Sequence, residues 1–337
     1  MPKTVSLAKI PEKVKTIKNW LGASVPWEVR GYAEDVSAFN TTGGIFDLSS
    51  YATLTFEGKD AFDFLNRMST LNFKTFNDHT AGYGAFLTGR GTVVSLGIFL
   101  REKDRVSYLI TESLRQITLE HVEKFHFAEQ FNLVDESEAF ALFGWWNPKQ
   151  QFLDELNLSS SIPVGIVEWR RWKSQDLLVW RDPAREKLFW FKTERRNAEL
   201  FLTEMERLKI PVLGHSVFEN LRIRSGIPEM GVELSDKEII LETGFDLAVH
   251  RAKGCYPGQE VVERIFTYGS VNKKLFCVQV ETANPEKVAL PIDLREGDRK
   301  VGTLMSFTPD TLNKNHGWGL AYLQKEYWNI EKTFKLP

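Results

Sequence analysis

Cysteine is nearly absent from this chain, with only Cys255 and Cys277 among 337 residues. Two thiols cannot make a disulfide framework, and such usage points to a reducing compartment. They also fall short of the four thiolates that a cubane iron–sulfur cluster normally takes. Histidine is scarce too, six in all; His121 and His126 point to different helix faces, and none sits beside a cysteine pair. No metal site is expected. No apolar run approaches the ~20 residues that span a bilayer, so no membrane association is expected. The opening residues have lysines, but no apolar segment of secretory length and no arginine to suggest a transit peptide. The expected location is cytoplasmic. Charge of one sign is lacking as well: the net charge is −2 and Lys and Arg are spread along the chain, which argues against strong direct nucleic-acid binding. Gly82 with Gly84 and Gly89 with Gly91 are paired glycines without the third that dinucleotide binding needs, and there is no phosphate-loop lysine.

What remains is an ordinary globular composition, 42% hydrophobic and 26% charged, in a chain longer than one typical core. Aromatics are plentiful, 24 Phe and 10 Trp; most are expected to fill cores, and some could stack on a flat heterocycle. Residues 51–56 alternate as a half-buried strand, and Ala61, Leu65, Met68 and Leu71 recur at helical spacing. Strands are predicted near 92–100, 105–111 and 139–145, with an amphipathic helix from Leu114 to Phe125. The rhythm repeats with strands at 164–169, 177–180 and 187–191. Thr193 is expected to cap a helix whose inner face is Ala198, Phe201, Leu202, Met205 and Leu208. Ser216 and Glu219 read as a capping box for the next helix, ended by Gly226 and Pro228. From 274 onward only strands are predicted, at 274–282, 299–307 and 316–323. These patterns divide the chain into a first α+β half at 1–150, a second at 151–270 and a C-terminal β-domain at 271–337, with 146–162 as the linker.

The most specific stretch is Lys253-Gly254-Cys255-Tyr256-Pro257-Gly258-Gln259-Glu260, extended by Arg264. Glycine and proline bend the backbone and favour an exposed turn. His250, Arg251, Lys253 and Arg264 crowd the thiol with positive charge, which favours the reactive thiolate. A filler cysteine in a tight turn is the alternative. Cys277, by contrast, falls within a predicted strand and reads as structural.

This stretch resembles the K-G-C-aromatic-x-G-Q-E-x-x-x-R motif of the YgfZ-type folate-binding proteins, relatives of the glycine-cleavage T-protein, an aminomethyltransferase. Leu221-Arg222-Ile223 with Gly226-Ile227-Pro228, and Gly44-Ile45-Phe46-Asp47-Leu48-Ser49, are similar to flanking segments of the same family, so the likeness covers roughly 44–325. It implies a T-protein-like fold of two α+β halves plus a C-terminal β-barrel domain around a tetrahydrofolate pocket. It also implies folate contacts at Tyr51 and Phe218, with Arg222 reaching a carboxylate tail and Glu242 facing the pterin amino group. For Phe218 and Arg222 a second reading stands beside this, a core ring and a surface ion pair. Where the aminomethyltransferases carry Asp-Asp-Leu, this chain reads Val93-Val94-Ser95-Leu96, and neither Val94 nor Ser95 can act as an anionic proton acceptor. Two functions stay open. One is a tetrahydrofolate-binding accessory protein, expected monomeric, whose partners are iron–sulfur enzymes, tRNA-modifying ones included, or cluster-assembly proteins, with Cys255 and Lys253 as its chemical residues. The other is a folate-dependent aminomethyltransferase using Cys255 or Glu260 in a new way.

Overall fold

The computed structural model describes residue 4 and residues 14–155, 158, 162–251, 253–328 and 333–336. The fold is α+β, as expected, and separates into two compact units, each discontinuous in sequence. The first comprises Met1–Arg67, Leu71–Gly84 and Gly97–Phe218; the second Met68–Thr70, Ala85–Leu96 and Glu219–Pro337.

A hairpin of β1 (Thr16–Trp20) and β2 (Ala23–Glu28) leads into α1 (Tyr32–Thr41), and β3 (Gly44–Asp47) and β4 (Ala52–Glu57) follow. Next come α2 (Ala61–Met68), β5 (Thr80–Leu87), β6 (Val93–Glu102), β7 (Arg105–Ile110), α3 (Arg115–Phe125) and β8 (Asn132–Asp135). Five of these strands form one sheet in the order β5-β6-β7-β4-β8. After β9 (Phe140–Trp146) and α4 (Gln150–Glu155), strands β10 (Val167–Trp172), β11 (Gln175–Arg181) and β12 (Leu188–Glu194) run antiparallel, and α5 (Ala198–Arg207) and β13 (Val212–Leu213) follow. The second sheet has the order β10-β11-β12-β9-β3-β13, so β3 from near the start of the chain shares it with strands from the middle.

Helix α5 covers this sheet with the face the sequence predicts: Ala198, Phe201, Leu202 and Met205 are buried. Phe201 stacks on Phe143 with ring centroids 4.7 Å apart and meets Phe191 at 5.5 Å. The aromatic surplus is mainly core, with Trp145, Trp180 and Trp190 among the largest fully buried side chains.

Three local expectations fail for physical reasons. The segment 146–162 is no open linker: α4 lies in it, and Leu153, Leu158 and Ile162 join the core of the six-stranded sheet; residues 156, 157 and 159–161 lie outside the described residues. Thr193 caps nothing, because β12 runs through it and a 3₁₀ turn, Arg195–Asn197, intervenes before α5. The capping box at Ser216 and Glu219 does not form. Helix α6 (His215–Arg224) has already begun at His215, and the Glu219 carboxylate is taken by Arg222.

In the second unit α7 (Gln259–Tyr268) precedes a barrel-like sheet. Its strands are β14 (Lys273–Glu281), β15 (Ile292–Glu296), β16 (Arg299–Pro309), β17 (His316–Gln324) and β18 (Thr333–Lys335), in the order β15-β16-β17-β14-β18. Alternation decides its interior: Val278, Val280, Leu304, Ala321 and Leu323 point into one cluster. No helix among the described residues is long and apolar enough to cross a membrane.

Phe201 is fully buried between two rings, so Phe201→Ala should cost about 3–5 kcal/mol. A lower urea midpoint at unchanged slope would show it; an unchanged midpoint would mean α5 does not hold this sheet.

Candidate functional site

The motif divides at Gly258. Residues 253–258 form a loop, whereas Gln259, Glu260 and Arg264 lie on α7, whose N-cap is Gly258. Gly258 has φ 81°, and a Cβ there would sit 2.6 Å from the Thr88 carbonyl oxygen and 2.7 Å from Gly91 Cα. Only glycine fits that approach. The Thr88–Thr92 turn is itself fixed, since the Ile240 N–H donates to Gly91 O at 3.1 Å and the Val93 N–H to Glu238 O at 3.3 Å.

On its other side the loop is clamped by Thr70. The fully buried Thr70 hydroxyl donates to Ala248 O at 2.5 Å and accepts the Ala85 N–H at 2.8 Å. Its carbonyl accepts the His250 N–H at 3.0 Å and its own N–H donates to Ala85 O at 2.9 Å. Next to it, Ser69 O accepts a hydrogen bond from Lys253 Nζ. The residues leading into the motif are therefore pinned to a strand edge far away in sequence.

Cys255 is exposed on this loop, as expected. Lys253 is half-buried over the Tyr256 ring, at 5.0 Å from its centroid, and burial pulls its amine down to about 7. Burial, and then Lys253, also lowers His250, so the basic flank predicted from sequence carries less charge than a count of residues suggests. The Arg251 guanidinium lies 4.2 Å from the Phe266 ring and 3.6 Å from Glu263. Tyr256 is buried, its phenol pushed up to about 12 by burial, and its Oη is buried without a hydrogen-bond partner among the described residues. Cys277 pairs with Leu320 across the barrel-like sheet, and burial raises its thiol to about 11.

The expected folate contacts fare unevenly. Arg222 is neither at the surface nor available to a carboxylate tail. It is 2% exposed and donates to Glu219 at 2.9–3.1 Å, to Glu233 at 2.8 and 3.0 Å and to Ile227 O at 2.7 Å. Burial disfavours the guanidinium, but the Glu219 and Glu233 carboxylates override it and keep Arg222 charged. Glu242 is half-buried, raised by burial, and accepts the Ile239 N–H at 3.1 Å, a local turn contact. Phe218 is a core ring, 1% exposed, edge-on to Phe46 at 5.2 Å and Trp190 at 6.3 Å. It has no open face for a heterocycle.

Tyr51 does reach a cleft. It lines about 230 Å³ of solvent-open space with Trp20, Leu21, Ala23, Ser50, Thr111, Glu112 and His215. Aromatic faces beside a carboxylate acceptor suit the edge of a flat ring bearing N–H donors. The space enclosed within it is only about 10 Å³, room for about one water and far below the ~300–1,000 Å³ of pockets that bury a drug-sized ligand, so the cleft is shallow and can meet at most the edge of a ring. Burial raises Glu112 against the pull of Arg115.

Sequence reasoning missed the group behind Tyr51. Tyr51 meets Trp190 edge-on at 6.0 Å. Asp182 accepts from Trp190 Nε1 at 2.8 Å, from Arg185 at 2.8 Å and from Tyr83 Oη at 3.1 Å. The Arg185 guanidinium lies 5.0 Å over the Phe218 ring, and its Nε is buried without a partner among the described residues. Burial opposes the charge on Arg185 and Asp182 restores it. The Asp182…Arg185 spacing reads as any i, i+3 surface pair, so no sequence signal marks it.

Comparison with known proteins places this geometry. The family described as the GCVT N-terminal domain matches residues 17–177. A chloroplastic protein of Arabidopsis thaliana described as a transferase is 25% identical over 306 residues, covering 89% of this chain and 69% of its own. An aminomethyltransferase of Rubrobacter xylanophilus is 23% identical over 326 residues, covering 91% and 83%. The structure of the glycine cleavage system aminomethyltransferase T from Bartonella henselae superposes with a TM-score of 0.86, at 14% identity, over 99% of this chain and 93% of that one. The expected T-protein-like fold is thereby borne out.

Two outcomes follow from the loop. Iodoacetamide should modify exposed Cys255 much faster than half-buried Cys277, whose thiol is pushed up to about 11; peptide mass mapping against time reads the order, and equal rates would contradict it. Thr70→Val removes a hydroxyl with two buried hydrogen bonds and leaves their partners unpaired. It should cost about 1–3 kcal/mol and raise amide exchange at 248–253, whereas unchanged exchange there would mean Thr70 does not hold the loop.

Proposed function

We propose that this protein binds a reduced folate, tetrahydrofolate or a one-carbon derivative, and works as a folate-dependent group-transfer protein of the aminomethyltransferase type. The observation that carries this reading is the agreement of the fold over 99% of the chain with an aminomethyltransferase, joined by relatives along most of the sequence that are described as transferases. At the shallow Tyr51 cleft, aromatic faces and the Glu112 carboxylate could meet the edge of a pterin ring. Bound folate would supply the carrier nitrogen for a one-carbon unit; the chain's own part is to orient the ring and exclude water.

One observation favours a second reading, a folate-binding accessory protein for iron–sulfur enzymes, tRNA-modifying ones included, or for cluster assembly. Val94 and Ser95 are buried and offer no carboxylate, while Cys255 is exposed and two residues from Lys253, whose amine burial pulls down to about 7. In this reading the protein acts as a cytoplasmic monomer, the thiol and Lys253 carry the chemistry and folate is held more than consumed.

The two part at turnover. The first expects ammonia release from an aminomethylated donor that depends on tetrahydrofolate and is absent without it. A missing proton acceptor typically costs ~10²–10⁴-fold, so the rate should lie below that of aminomethyltransferases. No folate-dependent turnover, with Cys255→Ser abolishing support of iron–sulfur enzymes in cells, would overturn the first reading in favour of the second.

A further inference from the structure

Val179 and Phe191 belong to the core that α5 covers, so their neighbours Trp180 and Trp190, directly opposite each other on β11 and β12, turn to the other face of the sheet. There the two indoles stack, with centroids 5.6 Å apart and planes 3° apart. Fully buried Asp182 fixes the turn that follows, accepting the Ala184 and Arg185 N–H groups at 2.9 and 2.8 Å and the Arg185 guanidinium at 2.8 Å. Two donors in this group have no acceptor among the described residues: Nε of Arg185, which is 7% exposed, and Nε1 of fully buried Trp180. Burying a donor unpaired is costly, and two such donors on one sheet face call for an acceptor that the chain itself does not supply. Tyr51 stands between them and solvent. Half-buried, it lines the cleft on one side and meets Trp190 edge-on at 6.0 Å on the other. The Arg185 guanidinium lies 5.9 Å from that same Trp190 ring.

We propose that Arg185 is the specificity-determining residue of the ligand site: Tyr51 turns outward, a flat ring takes its place beside Trp190, and a ring carbonyl accepts the Arg185 Nε–H. This rests on the reading of the ligand as a reduced folate, whose pyrimidinone ring matches the six-membered ring of Tyr51 in size and carries one carbonyl. Asp182 decides between the acceptors a folate offers. It already neutralises the guanidinium at 2.8 Å, so a neutral carbonyl suits the remaining donor better than a carboxylate, which would face Asp182 as a like charge. The turn that Asp182 holds sets the guanidinium before any ligand arrives, so little order is lost on binding. The shallowness of the cleft follows as well, because Tyr51 fills the place that the ring would take.

The test is calorimetry of the wild-type protein with tetrahydrofolate and with its 4-amino counterpart, in which an N–H₂ group replaces the ring carbonyl. A donor would then meet the Arg185 donor, so tetrahydrofolate should bind at least ~10-fold more tightly. Arg185→Lys keeps a positive charge beside Asp182 but lacks the Nε donor, and it should bind both ligands alike. Where that variant fails to fold, the Arg185 Nε–H resonance of the wild type gives the same answer: it should move with tetrahydrofolate and stay with the 4-amino compound. Tyr51→Ala should speed association, since no ring has to turn aside. Equal affinity of the wild type for the two ligands would overturn the proposal and leave the folate reading standing. A preference that survives in folded Arg185→Lys, an Nε–H resonance that tetrahydrofolate does not move, or slower association in Tyr51→Ala would overturn it too. Binding of neither ligand would sink the folate reading and the proposal together.

Discussion

Thr70 makes four hydrogen bonds from a fully buried position, two through its hydroxyl and two through its backbone. They join three stretches far apart in sequence: Met68–Thr70, the start of Ala85–Leu96 and the segment before the motif. The second compact unit exists because the chain returns to these two short early stretches, and without them the loop carrying Cys255 would hang from α7 and the barrel-like sheet alone. On the opposite side, Gly258 closes against Gly91 with no room for a methyl group. A loop held at both ends presents its thiol in one place while staying open to solvent, the arrangement a reactive site needs.

Buried charge sets the rest. Arg222 faces two carboxylates and a carbonyl inside the second unit, and Arg185 faces Asp182 and an aromatic ring inside the first. Desolvating each guanidinium is costly, and the hydrogen-bonded carboxylates offset it. Both clusters therefore hold structure before they serve any ligand. That is why residues expected to greet a folate from outside, Phe218 and Arg222, are committed to the interior instead. Tyr51 sits on the boundary, packed on Trp190 on one side and facing a cleft on the other.

The elements that read correctly from the sequence are those whose neighbours are local or strictly periodic. Helix α5 announces its buried face through Ala198, Phe201, Leu202 and Met205, and β14, β16 and β17 form where their apolar residues predict strands. The motif was legible because glycine and proline mark a turn wherever they cluster, although its second half proved helical from Gln259 onward. What escaped depends on distant partners. Nothing near Thr70 foretells a bond to Ala248, the two-residue strand β13 exists only because β3 lies parallel beside it, and Glu219 looks like a cap until Arg222 claims it. Basic residues around Cys255 were counted as charges, and only burial reveals that Lys253 titrates near 7.

A fold shared with an aminomethyltransferase, a ring-lined cleft at Tyr51 and a clamped, exposed thiol describe one protein if a reduced folate binds it. Titration calorimetry with tetrahydrofolate, carried to about 1 mM ligand, tests that most directly. The account predicts saturable heat and a thermal midpoint that climbs with ligand concentration. No heat and no shift with any reduced folate would contradict it, and would leave the fold as shared architecture without shared chemistry.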